Sequence, residues 1–120
     1  MTDKTSILIV DDNETLLTTI SIILKRSEHK VEVANNGHDA IVKVQHNSYD
    51  MIILDYKMPG LSGLETLKEI RNMGSDVPVV FMTAYEQHDF IDEAGEMGVL
   101  AVFNKPFEVK KILSLIDELN

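Results

Sequence analysis

The sequence predicts a doubly wound α/β domain around a five-stranded parallel sheet, and three observations carry that prediction. Four short runs, Ile7-Leu8-Ile9-Val10, Met51-Ile52-Ile53-Leu54, Val79-Val80-Phe81-Met82 and Ala101-Val102-Phe103, are apolar without alternation. Strands buried on both faces of a parallel sheet read this way. The segments between them carry apolar residues at helical spacing. Gly37, Pro59-Gly60, Gly74, Gly98 and Pro106 punctuate the joints. The element order is βαβαβαβαβα, and helices joining parallel strands require right-handed crossovers that cover both faces of the sheet.

In chain order, Ile7–Val10 is the first strand. The first helix follows over Glu14 to Lys25, where Leu16, Ile20, Ile23 and Leu24 stand at i, i+4, i+7 and i+8. Leu17 and Ile22 fall beside that stripe, at the edge of the core or free to meet a partner. Val31-Glu32-Val33-Ala34 alternates, the mark of a half-exposed edge strand. A second helix spans Asp39 to Gln45 with Ala40, Ile41 and Val44 inward. The third opens at Ser62, which with Glu65 has capping-box spacing, and Leu64, Leu67 and Ile70 continue its apolar face. A weaker fourth helix covers Gln87 to Met97. The last runs from Glu108 to Leu119 with Ile112, Leu115, Ile116 and Leu119 on one side.

Composition narrows the function. At 120 residues, 44% hydrophobic and 26% charged, the chain is one globular domain. It has no cysteine, which excludes disulfides, thiolate metal sites and cysteine nucleophiles, and fits a reducing, cytoplasmic location. Eleven basic against twenty acidic residues give a net charge of −9. Such a surface repels phosphate backbones, so direct nucleic-acid binding is not expected. No signal-peptide pattern opens the chain, and no apolar run approaches the ~18 residues that span a bilayer. The four histidines, His29, His38, His46 and His88, lack metal-ligand spacing and read as surface residues, as does Lys110-Lys111.

The informative feature is what ends each buried strand. Asp11-Asp12 follows the first, Asp55 the third, Thr83 the fourth, and Lys105 comes just after the fifth. Open α/β sheets bind ligands at the carboxyl ends of their strands, where the winding reverses. Each residue alone has an ordinary explanation: Asp12 or Asn13 could cap the first helix, and Thr83 or Lys105 could be a loop residue. Their convergence from four strands is harder to explain that way. Three converging carboxylates repel one another, and a divalent cation is the natural compensation. All-oxygen ligation suits Mg²⁺, or Mn²⁺ in its place. With a cation present, one carboxylate can attack phosphorus. Lys105 would then be a fixed cation for the phosphoryl oxygens, and Thr83 a hydrogen-bond donor to them.

The motifs Ile9-Val10-Asp11-Asp12, Asp55-Tyr56-Lys57-Met58-Pro59-Gly60, Ser62-Gly63, Met82-Thr83-Ala84 and Lys105-Pro106-Phe107 resemble those of bacterial response regulator receiver domains, the CheY-like superfamily. The resemblance covers essentially the whole chain, residues 1–120. It implies a flavodoxin-like sheet in the order 2-1-3-4-5 and phosphorylation of Asp55 by a histidine kinase or histidine phosphotransfer protein. It implies Mg²⁺ held by Asp12, Asp55 and the backbone carbonyl of Lys57, with Asp11 acting through water. Thr83 and Lys105 would contact the phosphoryl group, and the Lys105-Pro106 bond is usually cis in this family. The action would be stoichiometric self-phosphorylation and self-dephosphorylation rather than enzymatic turnover, in a monomer without membrane attachment. Many members carry an aromatic switch residue three positions before the lysine. Here that position is Val102, and Phe103 should face the other side of the strand. The run Met82-Thr83-Ala84-Tyr85, with Val102 and Phe107, looks most like single-domain receivers that relay phosphate between histidines.

Other readings fit less well. The chain could be the N-terminal receiver of a longer regulator with a DNA-binding or enzymatic output domain. An aspartate-nucleophile phosphohydrolase needs a second acid two residues after the nucleophile, where this chain has Lys57. A flavodoxin-like cofactor binder needs a phosphate loop after the first strand, where this chain has Asp-Asp-Asn-Glu. A degenerate receiver would have lost site residues, and all five are present.

Overall fold

The computed structural model describes residues 5–83, 88–104, 113, 114 and 116, by backbone alone at 83, 88–91 and 104. The elements are β1 (Ser6–Val10), α1 (Glu14–Arg26), β2 (Lys30–Ala34), α2 (Gly37–His46), β3 (Met51–Asp55), α3 (Gly63–Asn72), β4 (Val79–Thr83), α4 (His88–Glu96) and β5 (Ala101–Asn104). All five strands are parallel, in the order β2-β1-β3-β4-β5. Of the expected final helix, residues 113, 114 and 116 are described and helical; the rest of it, with Lys110-Lys111, lies outside the described residues.

Because side chains alternate along a strand, the sheet divides its apolar residues between two cores. Leu8, Val10, Ile52, Leu54, Val79 and Phe81 meet Ala40 of α2, Leu67 and Ile70 of α3 and Ala94 of α4. Ile7, Ile9, Met51, Ile53, Val80 and Met82 meet Leu17, Ile20 and Leu24 of α1 together with Ile116. The unbroken apolar runs are thus strands buried on both faces, and every residue of β3 is buried. In β5, Val102 packs into the first core and Phe103 into the second, on opposite faces as their spacing requires.

Helix α1 corrects the sequence reading by one position. Leu17, read as lying beside the stripe, is buried, and the inward face is Leu17-Ile20-Ser21-Leu24, with Leu16 and Ile23 half-buried beside it. Ile22 does remain outside, 49% exposed. The helix ends in a Schellman motif: His29 N–H donates to the Leu24 carbonyl (3.2 Å) and Glu28 N–H to the Lys25 carbonyl (3.0 Å). Glu28 therefore adopts φ 68°, the left-handed region that favours glycine. Glu28→Gly is expected to stabilise the fold by about 1 kcal/mol, after allowing for glycine's larger unfolded-state entropy. Tm should rise by about 4 °C. An unchanged or lower Tm in thermal melts would count against strain at this cap.

The same turn draws His29 downward, so this histidine is half-buried rather than on the surface, and its Nδ1 has no hydrogen-bond partner among the described residues. Helix α2 opens two residues earlier than its apolar pattern suggested. Asn36 caps it, its Oδ1 accepting from Asp39 N–H at 2.8 Å. Helix α3 opens on the expected capping box: Ser62 Oγ accepts from Glu65 N–H (3.1 Å) and Glu65 Oε1 from Ser62 N–H (3.0 Å). Those bonds favour the charged carboxylate and hold Glu65 below the ordinary glutamate pKa. The cap's contribution is present above that ordinary value and is lost as pH falls through the lowered one.

Candidate functional site at the carboxyl ends of β1 and β3

The chain winds outward from β1 to β2, then crosses back to β3 on the other side of β1. The winding therefore reverses between β1 and β3, where open sheets of this kind leave a crevice. Val10 and Leu54 are register partners across that seam. Asp11 and Asp55 are the residues immediately after Val10 and Leu54, so the two carboxylates emerge side by side on neighbouring strands. By the two-residue period, Asp11 continues the side-chain row of Ile7 and Ile9, and Asp55 that of Met51 and Ile53. Both rows belong to the core beneath α1.

Asp12 joins them from the start of the β1–α1 turn. One carboxylate oxygen from each of Asp11, Asp12 and Asp55 lies within 4.8 Å of the others. Asp11 (0% exposed) and Asp55 (4%) are buried, while Asp12 is exposed. Backbone bonds fix this arrangement: Asp11 N–H donates to the Ala34 carbonyl (3.2 Å), and Tyr56 N–H, just past Asp55, donates to the Met82 carbonyl (3.0 Å). Asp11 Oδ1 also accepts from Asn13 N–H at 2.9 Å. The cap of α1 is Asn13, whose Oδ1 accepts from Leu16 N–H at 3.2 Å. Helix capping therefore does not explain Asp12.

The loop after Asp55 is closed at its base by Gly63 N–H donating to the Tyr56 carbonyl at 2.6 Å. Only glycine fits there: a Cβ on Gly63 would overlap the Asp55 carbonyl oxygen and stand 2.8 Å from both Tyr56 Cα and Phe81 Cε1. Met58 folds inward and is buried, Lys57 is exposed, and Gly60 takes φ 78° at the loop's turn. The Tyr56 ring stands edge-on to Phe81, centroids 6.5 Å apart, which seats the loop against β4.

Thr83 ends β4 one residue beyond Met82, the register partner of Asp55, so its backbone borders the same edge. Lys105 directly follows β5, whose last residue, Asn104, pairs with Thr83; Lys105 itself lies outside the described residues, as do Ala84 and Tyr85.

The donor set suits a hard cation. Oxygens around an octahedral Mg²⁺ bound at 2.0–2.1 Å sit roughly 2.9 Å apart when adjacent and about 4.1 Å when opposite. Three carboxylate oxygens gathered within 4.8 Å of one another are of the type and at about the scale such a cation takes. Elsewhere among the described residues no group of His, Asp and Glu gathers in this way.

A family model described as the response regulator receiver domain matches residues 7–117. The chain belongs to that family. It is a receiver domain of the kind found in two-component systems. Sporulation initiation phosphotransferase F of Bacillus subtilis (strain 168) is 35% identical over 106 residues, 88% of this chain and 86% of that protein. Transcriptional regulatory protein ZraR of Klebsiella oxytoca is 34% identical over 116 residues, 97% of this chain but 26% of that protein. The chain thus spans about a quarter of ZraR. Among solved structures, the receiver is similar to Vibrio cholerae chemotaxis protein CheY4 at a TM-score of 0.90, with 26% identity and 98% and 100% of the two chains covered. It is also similar to the response regulator TrrA of Thermotoga maritima, solved in complex with Mg²⁺-BeF, at a TM-score of 0.83, with 29% identity and 95% and 97% covered. Among the described residues, no helix of this receiver is long and apolar enough to cross a membrane.

Proposed function

We propose that this receiver accepts a phosphoryl group on Asp55 from a histidine kinase or histidine phosphotransfer protein, with Mg²⁺ required. The observation that carries the reading is the three-carboxylate cluster at the reversal of the sheet. Asp55 is the acceptor because it ends the central strand and opens the clamped loop. An Asp55 oxygen attacks phosphorus in line. The phosphorus–nitrogen bond to the donor imidazole breaks, its electrons return to the ring, and the metaphosphate-like group passes to the carboxylate. Asp12, Asp55 and the Lys57 carbonyl would hold the metal, with Asp11 acting through water and through its bond to Asn13 N–H. When bound, Mg²⁺ supplies charge neutralisation for the carboxylates and the phosphoryl oxygens. Mn²⁺ suits the same oxygens, and TrrA, a similar response regulator, was solved in complex with Mg²⁺-BeF. Thr83 would donate to a phosphoryl oxygen and Lys105 pair with another. The domain, residues 1–120, would work stoichiometrically in the cytoplasm as a monomer, without contacting nucleic acid or membrane.

Acetyl phosphate supplies the direct test, since it presents phosphorus without a partner protein. With Mg²⁺ the chain should take up one phosphoryl group, read by intact mass, and chelation by EDTA should prevent it. Uptake at an undiminished rate in EDTA would contradict the metal's role.

Two outputs have specific support. The match across 86% of a phosphotransferase favours onward transfer to a histidine. The match to about a quarter of a transcriptional regulator's length favours a receiver that governs an attached output domain. Release of phosphate from the phosphorylated chain to a purified histidine phosphotransfer protein distinguishes them.

A further inference from the structure

We infer that the β2–α2 connection is a brace that fixes the spacing of the phosphorylation site, with Gly37 as its positioning residue; this rests on the phosphoacceptor reading above. The connection touches both halves of the site. At one end the Ala34 carbonyl accepts Asp11 N–H at 3.2 Å, which ties it to the strand carrying Asp11 and Asp12. At the other, Gly37 presses on the far end of the acceptor loop. A Cβ on Gly37 would overlap Thr66 Oγ1 and stand 3.0 Å from Leu61 Cβ.

Neither side of that contact yields easily. Gly37 is the first residue of α2 and is held in place by the Asn36 cap. Thr66 is fully buried, and its Oγ1 donates to the Ser62 carbonyl at 2.8 Å. Leu61 and Ser62 end the segment that begins with Asp55-Tyr56-Lys57, and that segment is already closed behind by the Gly63–Tyr56 bond. Pressure at Leu61 therefore reaches a short, closed loop. Gly37 is not needed for its backbone angle, since its φ is outside the left-handed region where Gly60, Gly74 and Gly98 lie. What requires glycine here is the close approach of α2 to the acceptor loop.

Mg²⁺ demands near-ideal geometry, so a small displacement of the Lys57 carbonyl relative to Asp12 should weaken its binding. Groups that orient metal ligands typically change affinity by about 10–100-fold when altered. Gly37→Ala should raise the Mg²⁺ Kd, measured by amide NMR titration, by about tenfold. Phosphorylation by acetyl phosphate should need correspondingly more Mg²⁺, with its rate at saturating Mg²⁺ nearly unchanged. Thr66→Ala in the Gly37→Ala background, which removes the overlapping Oγ1 atom, should bring the Mg²⁺ requirement back toward wild type. Val79→Ala opens a cavity at the amino end of β4, away from the carboxyl edge where the site lies, and should lower Tm without moving the Mg²⁺ requirement.

If Gly37→Ala lowers Tm yet leaves the Mg²⁺ Kd unchanged, Gly37 only packs and the brace is refuted. If that variant does not fold, the wild-type titration decides. The Gly37 amide resonance should shift with the same Kd as that of Asp12, and a Gly37 resonance that stays still at saturating Mg²⁺ refutes the brace. A wild type that neither binds Mg²⁺ nor accepts phosphate refutes the phosphoacceptor reading itself, and the brace with it.

Discussion

Asp55→Asn should leave a chain that folds and takes up no phosphoryl group from acetyl phosphate. The substitution nearly preserves volume, which matters for a side chain only 4% exposed at the end of a strand buried throughout. It would remove the anionic oxygen proposed to attack phosphorus and a charge proposed to help hold the cation. Asp55→Ala would be a poorer test, because it also changes the packing of the pocket at a buried position. Intact mass after incubation with acetyl phosphate and Mg²⁺ should fall from one added phosphoryl group per chain to none. Circular dichroism should be unchanged. The neighbouring carboxylates, Asp11 and Asp12, each hold an oxygen within 4.8 Å of an Asp55 oxygen. Undiminished uptake in the variant would therefore move the acceptor to one of them and overturn the assignment.

The fold was legible because the strands of a fully covered parallel sheet have no polar face to dilute their signal. β3 is the extreme case, with five buried residues ending in one of the three clustered carboxylates. Helix α1 was harder to read. Its buried face includes Ser21, a polar residue, while Leu16-Leu17 and Ile22-Ile23 place apolar residues on both flanks of it. Counting apolar positions therefore selects Leu16 and Ile23 over Leu17 and Ser21. The arbiter is where the helix lies on the sheet, which no local pattern records. Gly37 misled in a different way. Following Asn35-Asn36 it reads as a turn residue, but it is the first residue of α2, and its small size serves a contact with Leu61 and Thr66 that are more than twenty positions away.

The site was legible for a topological reason. Asp11 and Asp55 each directly follow a buried run, and parallel pairing of Val10 with Leu54 then makes them neighbours. Asp12 could have been a helix cap on sequence alone, and only the Asn13 side chain's bond to Leu16 N–H separates the two roles. The clamp on the loop after Asp55 was half visible. Ser62-Gly63 reads as a helix start, which it is, but the need for glycine at 63 comes from the Asp55 carbonyl and the Phe81 ring, which only folding brings there.

Asp12→Ala should destroy function while making the metal-free protein more stable. Asp12 is exposed, is not the helix cap, and holds one oxygen within 4.8 Å of oxygens on two buried carboxylates. Removing it relieves like-charge repulsion and exposes no apolar cavity. Solvent screening makes the gain modest, so a rise in Tm of about 3–5 °C in EDTA is expected. Asp11→Ala should gain less or lose stability, because Asp11 Oδ1 accepts the Asn13 N–H and a buried carboxylate's place would be left unfilled. Mg²⁺ reverses the order. A ligand at about 100 times its Kd stabilises the wild type by about 2.7 kcal/mol through linkage, whereas the Asp12→Ala variant, having lost a metal ligand, should gain little. Melts with and without Mg²⁺, beside a phosphorylation assay, test both halves. A lower Tm for Asp12→Ala in EDTA would show that this carboxylate supports the fold. Equal Mg²⁺ stabilisation of variant and wild type would remove Asp12 from the metal site.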